Sequence, residues 1–278
     1  MSDANDLAGK HALVTGGGTG IGFGIACELL RQGCVVTIVG HIQEQIDAAR
    51  KRISEELPGA ELRVALGDVT VEEDMRAAVA AAADADGRLD IAVANAGSAA
   101  PGPILLLNKA DWEYCNALNI TGTALTIKHA AHAMKRGGGS IVTISSAAAR
   151  QVEKWMAPYS ATKAAVEMLT RAAAVELAPF GIRVNCISPG LILTEGTRNL
   201  PEELLQECRE DTLLSDLGQP IEIARGVVYL SGASGRWVTG SVLDIGGGMH
   251  VDAGEDFQGV ARARYGAEFD AALGPESE

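Results

Sequence analysis

Residues 11–15, His-Ala-Leu-Val-Thr, make an apolar run of strand length, and Gly16-Gly17-Gly18-Thr19-Gly20-Ile21-Gly22 follows at once. A helical apolar pattern then runs through Ile25, Ala26, Leu29 and Leu30. Strand, glycine turn and helix in that order leave few folds open. Glycine permits the tight turn and lets a ligand come close to the backbone. The helix beyond offers free N–H groups and a positive dipole end to a pyrophosphate. A dinucleotide seat at Gly16, Thr19, Gly20, Ile21 and Gly22 is the expectation. The spacing is T-G-x-x-x-G-x-G, not the G-x-G-x-x-G of the common dinucleotide fingerprint.

The rest of the chain repeats the alternation. Residues 11–15, 34–39, 61–66, 89–94, 140–145, 182–188 and 241–245 read as strands. Residues 21–32, 42–57, 71–86, 109–135, 157–178 and 220–232 read as helices. Apolar strands alternating with helices imply a parallel sheet covered on both faces. Right-handed crossovers make it doubly wound. The expected fold is therefore α/β: one Rossmann-like domain over residues 1–278, with about seven strands and helices on both faces. Two segments break the pattern. Residues 191–218 carry an acidic amphipathic stretch without a strand, after Pro189-Gly190, and read as a flap over the substrate site or a solvated surface helix. Residues 250–278 read as an acidic C-terminal extension, partly helical or frayed, with Asp252, Glu255, Asp256, Glu268, Asp270, Glu276 and Glu278 against Arg262 and Arg264.

Composition excludes several classes. The 278-residue chain carries a formal net charge of −13, which opposes nonspecific binding to nucleic acid or anionic membrane. No apolar run approaches the ~20 residues a membrane span needs, and the acidic start shows no signal-peptide pattern. A cytoplasmic protein is expected. Cys27, Cys34, Cys115, Cys186 and Cys208 are scattered without C-x-x-C pairs or histidines at ligand spacing. They read as thiols in a reducing compartment, and no metal site is expected.

Chemistry concentrates later. Tyr159 precedes Lys163 by four residues and follows Ser146 by thirteen. Tyr159 and Lys163 then share one helix face. Lowering a phenol pKa from near ~10 by ~3 units requires roughly 4 kcal/mol. One ammonium at ~4 Å supplies about that much at an intermediate dielectric. The pair is a candidate proton-transfer group, with Lys163 expected to acidify Tyr159. Ser146, or its neighbour Ser145, would hold the substrate oxygen; the thirteen-residue interval favours Ser146.

Thr15-Gly16, Gly20-Ile21-Gly22, Asp68-Val69, Asn95-Ala96-Gly97, Asn119, Ser146, Tyr159-Ser160-Ala161-Thr162-Lys163 and Pro189-Gly190 with Thr194 stand in one order. That set resembles the short-chain dehydrogenase/reductase family over roughly residues 8–250. The resemblance implies reversible hydride transfer between a nicotinamide cofactor and a secondary alcohol or ketone. Ser146 would orient the oxygen, Tyr159 exchange the proton, Lys163 bind the nicotinamide ribose, and Asn119 help hold a water leading to Lys163. Asp68 would meet the adenine amino group beside Val69, although its position also suits a helix N-cap. Asn95, Ala96 and Gly97 would pass the nicotinamide ribose. Pro189, Gly190, Ile192 and Thr194 would lie against the nicotinamide.

Gly40 stands where NAD-preferring relatives carry Asp, and His41 where many NADP-preferring relatives carry Arg. Thr19 replaces a further cation. The missing acid leans the reading to NADP over NAD. The alcohol or carbonyl substrate would be walled by residues 98–103, residues 150–156 and the flap. Trp155, Met156, Leu191 and Leu193 suggest an apolar pocket, and Arg150 and Lys154 leave room for an anionic group. A homo-oligomer, tetrameric by resemblance, is expected, with the apolar-rich helices 109–135 and 157–178 as one pairing face. The alternatives are a non-catalytic dinucleotide sensor or scaffold, and epimerisation or dehydration of a nucleotide-sugar.

Overall fold

The structure is a computed structural model that describes residues 6–214, 216–251 and 257–273. Asp252, Glu255, Asp256, Glu276 and Glu278 of the extension lie outside the described residues. In chain order the first elements are β1 (His11–Thr15), α1 (Gly20–Arg31), β2 (Val35–Gly40), α2 (Gln43–Glu56), β3 (Leu62–Leu66), α3 (Glu72–Ala82) and β4 (Ile91–Ala94). Next come α4 (Lys109–Cys115), α5 (Gly122–Met134), β5 (Gly139–Ile144), α6 (Ala157–Leu177) and β6 (Ile182–Pro189). The chain closes with α7 (Glu202–Glu210), α8 (Pro220–Ser231), β7 (Val242–Ile245), α9 (Gln258–Tyr265) and α10 (Ala267–Leu273).

The seven strands form one sheet in the order β3-β2-β1-β4-β5-β6-β7, parallel throughout. Val14 of β1 registers with Ile38 on one side and Val93 on the other. The order reverses between β1 and β4. In such a sheet the connections leave to opposite faces there, and a crevice opens beyond the strands' carboxyl ends.

Both faces of the sheet are buried under helices, which is why its central strands are continuous apolar runs. Ile25, Leu29, Ile46, Ile53, Ile223 and Val227 fill one core, under α1, α2 and α8. Met75, Val79, Ile127, Met134, Ile141 and Ile182 fill the other, under α3, α5 and α6. β3, at the sheet edge, leaves Val64 and Leu66 exposed.

Element bounds follow the sequence expectations within a residue or two at most places, and two departures have local causes. The helix expected over 71–86 stops at Ala82. The Asp84 carboxylate accepts from the N–H groups of Asp86 (2.9 Å) and Arg88 (2.8 Å), and Gly87 takes φ 75°, so a side-chain-directed turn replaces the last helical turn. The helix expected over 109–135 is interrupted by a π-helical segment, Asn116–Thr121, between α4 and α5. Such bulges re-aim side chains and concentrate at functional sites, and this one carries Asn119.

Among the described residues, segment 191–218 forms no strand, in line with the sequence. Its two ends meet, with Leu193 N–H donating to Gly218 O (2.8 Å) and Gly218 N–H to Leu191 O (3.1 Å). The acidic amphipathic stretch is α7. Among the described residues no helix is long and apolar enough to cross a membrane, and no group of three His, Cys, Asp or Glu could hold a metal ion. All five cysteines are unpaired thiols.

Candidate active site

The crevice begins at Thr15, the last residue of β1. Its Oγ1 accepts from the N–H groups of Asn95 (3.0 Å) and Ala96 (3.2 Å) and donates to Val93 O (3.3 Å). Asn95 Nδ2 returns a hydrogen bond to Thr15 O (2.9 Å) and a longer one to Gly16 O (3.4 Å). The chain after β4 is thereby clamped onto the glycine turn. Asn95, read from sequence as a residue beside the nicotinamide ribose, uses its amide on this clamp. Glycine is required here: a Cβ on Gly22 would lie 2.2 Å from Gly16 O, and Gly16 and Gly20 hold φ of 63° and 54°.

Thr19 stands at the N-cap of α1 without a side-chain cap, so the first N–H groups of the helix face the crevice. One of them is already used. Gly20 N–H donates to Glu195 Oε2 (3.2 Å), and Arg52 of α2 holds Oε1 (3.1 Å). The backbone hydrogen bonds and the Arg52 pairing keep the Glu195 carboxyl below its ordinary range. A small cavity of about 170 Å³ opens beside this contact, lined by Phe23, Arg52, Leu193, Thr194, Glu195 and Arg198 among others. A carboxylate thus occupies an N–H at the place where a dinucleotide's pyrophosphate is expected, which tests the fit directly: the turn accepts an anion. Sequence reading missed Glu195, because one acid in an acidic segment carries no local signal.

The remaining cofactor candidates line the same edge. Gly40 ends β2, and a Cβ there would touch only the far end of Ile46, at 3.1 Å. His41 beyond it is exposed. Val69 is buried, packed where a Cβ on Gly122 would meet it at 2.7 Å. Asp68 is not the N-cap of α3, whose cap position is Val71. Its Oδ1 instead accepts from Thr70 N–H and Thr70 Oγ1, both at 2.8 Å, while Asp68 N–H donates to Asp74 (2.9 Å). The local turn out-competes the helix end for that carboxylate. Pro189 ends β6, and Gly190 lies so close to Gly246 that a Cβ would meet its Cα at 2.9 Å. Ile192 is buried, and the Thr194 methyl closes on Gly20.

Opposite this edge, α6 and the end of β5 bring four polar residues together. Ser146 N-caps a short 3₁₀ turn after β5, its hydroxyl accepting from Ala148 N–H (3.2 Å), and it is near enough to the Tyr159 phenol to favour the ionised form. Ser145 is excluded from that role. It is buried, and its hydroxyl donates to Lys163 O (3.0 Å). Lys163 is buried, with Nζ 5.5 Å from the Tyr159 ring centre and donating to Ile144 O (2.8 Å). Asn119 is buried in the π-helical segment. Its Oδ1 accepts from Ser98 N–H (2.9 Å), and its Nδ2 donates to Ser98 O and Thr162 Oγ1, each at 2.9 Å. A Cβ on Gly97 would reach Asn119 Oδ1 at 3.0 Å and Lys163 Nζ at 3.2 Å, so the glycine admits both heads.

The electrostatics add an influence that the spacing did not show. Burial is the largest one on Tyr159: it pushes the phenol above its ordinary range and outweighs the lowering by the Ser146 hydroxyl, while the charge of Glu153 raises it further. Burial also pushes Lys163 down to about 8, roughly 3 kcal/mol of bias toward the neutral amine. The physical reason is shared: a dry site penalises phenolate and ammonium alike.

The crevice walls correct one expectation. Arg150 is not free for an anionic substrate. Its guanidinium is shared between Glu167 (3.2 Å) and Asp244 (3.0 Å). Trp155 takes φ 67°, the sole positive φ outside glycine among the described residues, and its carbonyl accepts from Gly102 N–H (2.7 Å). That bond joins the loop after β4 to the loop before α6. Sequence gives no hint of it, since tryptophan is not a residue of left-handed turns.

The family described as enoyl-(acyl carrier protein) reductase matches residues 16–250. Human dehydrogenase/reductase SDR family member 4 is 36% identical over 253 residues, covering 89% of this chain and 90% of that protein. The 2,5-dichloro-2,5-cyclohexadiene-1,4-diol dehydrogenase LinX of Sphingobium indicum is 36% identical over 256 residues, covering 89% of this chain and 99% of its own. A 7α-hydroxysteroid dehydrogenase, solved with NADH and 7-oxo glycochenodeoxycholic acid, superposes with a TM-score of 0.84 at 33% identity over 89% of this chain and 97% of that one.

Glu195→Gln removes a charge that competes with a pyrophosphate for α1. Titration calorimetry should show the dinucleotide binding more tightly, by roughly fivefold or less, the scale of one exposed charge at a helix N-terminus. Weaker binding would mean that the carboxylate supports the site instead.

Proposed function

The chain belongs to the short-chain dehydrogenase/reductase family and is an NAD(P)-dependent oxidoreductase that interconverts secondary alcohols and ketones, and on that premise we propose that Ser146, Tyr159, Lys163 and Asn119 carry the reaction. One observation carries the assignment: Lys163 Nζ lies 5.5 Å from the Tyr159 ring centre at the crevice, with the Ser146 hydroxyl on the phenol's side. A substrate oxygen placed between two hydroxyls is held and polarised at once. The nicotinamide supplies or takes up the hydride when bound. Tyr159 gives the proton to the oxygen in reduction and receives it in oxidation. Lys163 lies beneath the ring, its Nζ reaching the space at Gly97 shared with Asn119. Asn119 holds Ser98 and α6 in register through both ends of its amide.

The residues suited to the dinucleotide are the glycine turn, Asp68, Val69, Asn95 to Gly97, Pro189, Gly190, Ile192 and Thr194. NADP is the preferred form in this reading, because Gly40 and the exposed His41 put no carboxylate at the end of β2 where a 2′-phosphate would sit. Segment 191–218 is read as the substrate lid, and residues 1–278 as one catalytic domain. Exposed apolar side chains on α6 (Met168, Val175) and Trp237 before β7 support a homo-oligomer. The net charge and the absence of a spanning helix among the described residues favour a cytoplasmic protein.

Tyr159→Phe should lower kcat by about 10²-fold or more, the scale of a lost general acid or base, with dinucleotide affinity nearly unchanged. Full activity of that variant on an identified alcohol would overturn the assignment. Since the phenol is held above its ordinary range, it is protonated at neutral pH. The phenol form is present below that pKa and lost above it, so oxidation should accelerate from pH 7 towards 10 while reduction holds, slowing only once the pH passes the raised phenol pKa. Steady-state profiles in both directions check this. Gly40→Asp should lower the NADP-to-NAD ratio of kcat/KM by at least about tenfold, as Ile46 moves only a few tenths of an ångström. An unchanged ratio would remove the argument for NADP.

A further inference from the structure

Ser146 lies between two attachments to α6. Ahead of it, the end of β5 is sewn to Lys163. Lys163 Nζ donates to Ile144 O (2.8 Å), and the Ser145 hydroxyl donates to Lys163 O (3.0 Å). Behind it, the chain folds into the short turn that Ser146 caps. Ala149 N–H donates to Ser146 O and Arg150 N–H to Ala147 O, each at 3.0 Å, and Gln151 N–H also donates to Ala147 O (2.9 Å). Arg150 is thus held to Ser146 by the backbone of one turn, and its side chain makes the second attachment. Nε donates to Glu167 Oε1 (3.2 Å), and Nη1 donates to Asp244 Oδ2 of β7 (3.0 Å) while Nη2 takes the other oxygen. Gln151 adds a bond to the Met249 carbonyl.

Glu167 is a firm anchor. It stands four residues after Lys163 and eight after Tyr159, so the three share one stripe of α6. Its side chain is 5% exposed, and its other partner, Arg171, lies farther off at 3.5 Å. A buried carboxylate keeps its cation, because losing it leaves an unpaired charge out of water. A planar guanidinium serves two carboxylates at fixed angles, which a lysine ammonium does not. We propose that Arg150 is a positioning residue for the reaction: by tying the turn after Ser146 to Glu167 and Asp244, it sets the Ser146 hydroxyl against the substrate oxygen that meets Tyr159. This rests on the reading of Ser146 and Tyr159 as the groups that hold that oxygen. Arg150 takes no proton and acts through Ser146, its guanidinium being spent on the two carboxylates. Without it the turn is fixed on one side only, at Ile144 and Ser145.

The test compares wild type, Arg150→Lys, Ser146→Ala, the two substitutions combined, and Tyr159→Phe. Turnover is measured on cyclohexanol, 2-butanol and 1-phenylethanol with NADP and with NAD, and wild type and Arg150→Lys are crystallised. Lysine keeps the charge but not the fork, so the buried carboxylates stay compensated while the angle is lost. In Arg150→Lys, kcat should fall about tenfold or more, with KM and dinucleotide affinity within about twofold of wild type. The combined variant should be no slower than Ser146→Ala alone, because a residue acting through Ser146 has nothing left to position. An arginine that only stabilised the fold would lower the melting temperature instead, and its loss would add to that of Ser146→Ala. Full kcat in Arg150→Lys, or losses that add, overturns the proposal. In the Arg150→Lys crystal the Ser146 hydroxyl should lie about 0.5 Å or more farther from the Tyr159 phenol. An unchanged separation sinks the proposal even where none of these alcohols is turned over. Retained turnover in Tyr159→Phe sinks the proton-transfer reading instead, whatever the Arg150 variants show.

Discussion

Thr15 joins the two halves of the sheet at the point where strand order reverses. Its hydroxyl takes two N–H groups from the chain leaving β4, and Asn95 answers by holding the carbonyl of Thr15 and reaching that of Gly16. Without that clamp the glycine turn and the chain after β4 would be free to separate, and the crevice between them would lose its shape. The buried polar atoms concerned are satisfied by each other, so a break exposes several unpaired groups at once. The contact of Gly22 with Gly16 and the placement of Gly97 beside Asn119 and Lys163 both assume this seam.

Behind the seam, the candidate reacting groups are partly to fully withdrawn from solvent. Burial raises Tyr159 and lowers Lys163. A phenol in this setting keeps its proton at neutral pH, and the Ser146 hydroxyl favours its ionised form. The amine beneath it is directed by Ile144 O toward the space at Gly97, and the π-helical segment turns Asn119 to the same place. The irregular helix and the buried lysine thus serve one geometry.

Several charges that look available along the chain are committed to other parts of it. Arg150 holds Glu167 and Asp244, joining the loop after β5 to α6 and β7. Glu195 and Arg52 join segment 191–218 to α1 and α2. These pairs are partly exposed, so each adds modestly to stability. Their greater effect is positional, since they fix the walls between which a substrate must fit.

The sequence alone determined the sheet, its covering helices and which hydroxyls are candidates for the reaction. Apolar periodicity and glycine spacing act over short stretches, where chemistry and neighbours coincide. The interval to Tyr159 favoured Ser146 over Ser145, and in the fold the Ser145 hydroxyl is spent on the backbone of α6. Tertiary structure decided what depends on distant neighbours. The direction of the Tyr159 shift follows from burial, which no i, i+4 spacing encodes. The π-helical break at Asn119, the left-handed Trp155, and the partners of Arg150 and Glu195 arise from contacts tens of residues apart or more. Solvent exclusion and long-range pairing belong to the assembled fold, and they set the charge and aim of side chains whose presence the sequence announces.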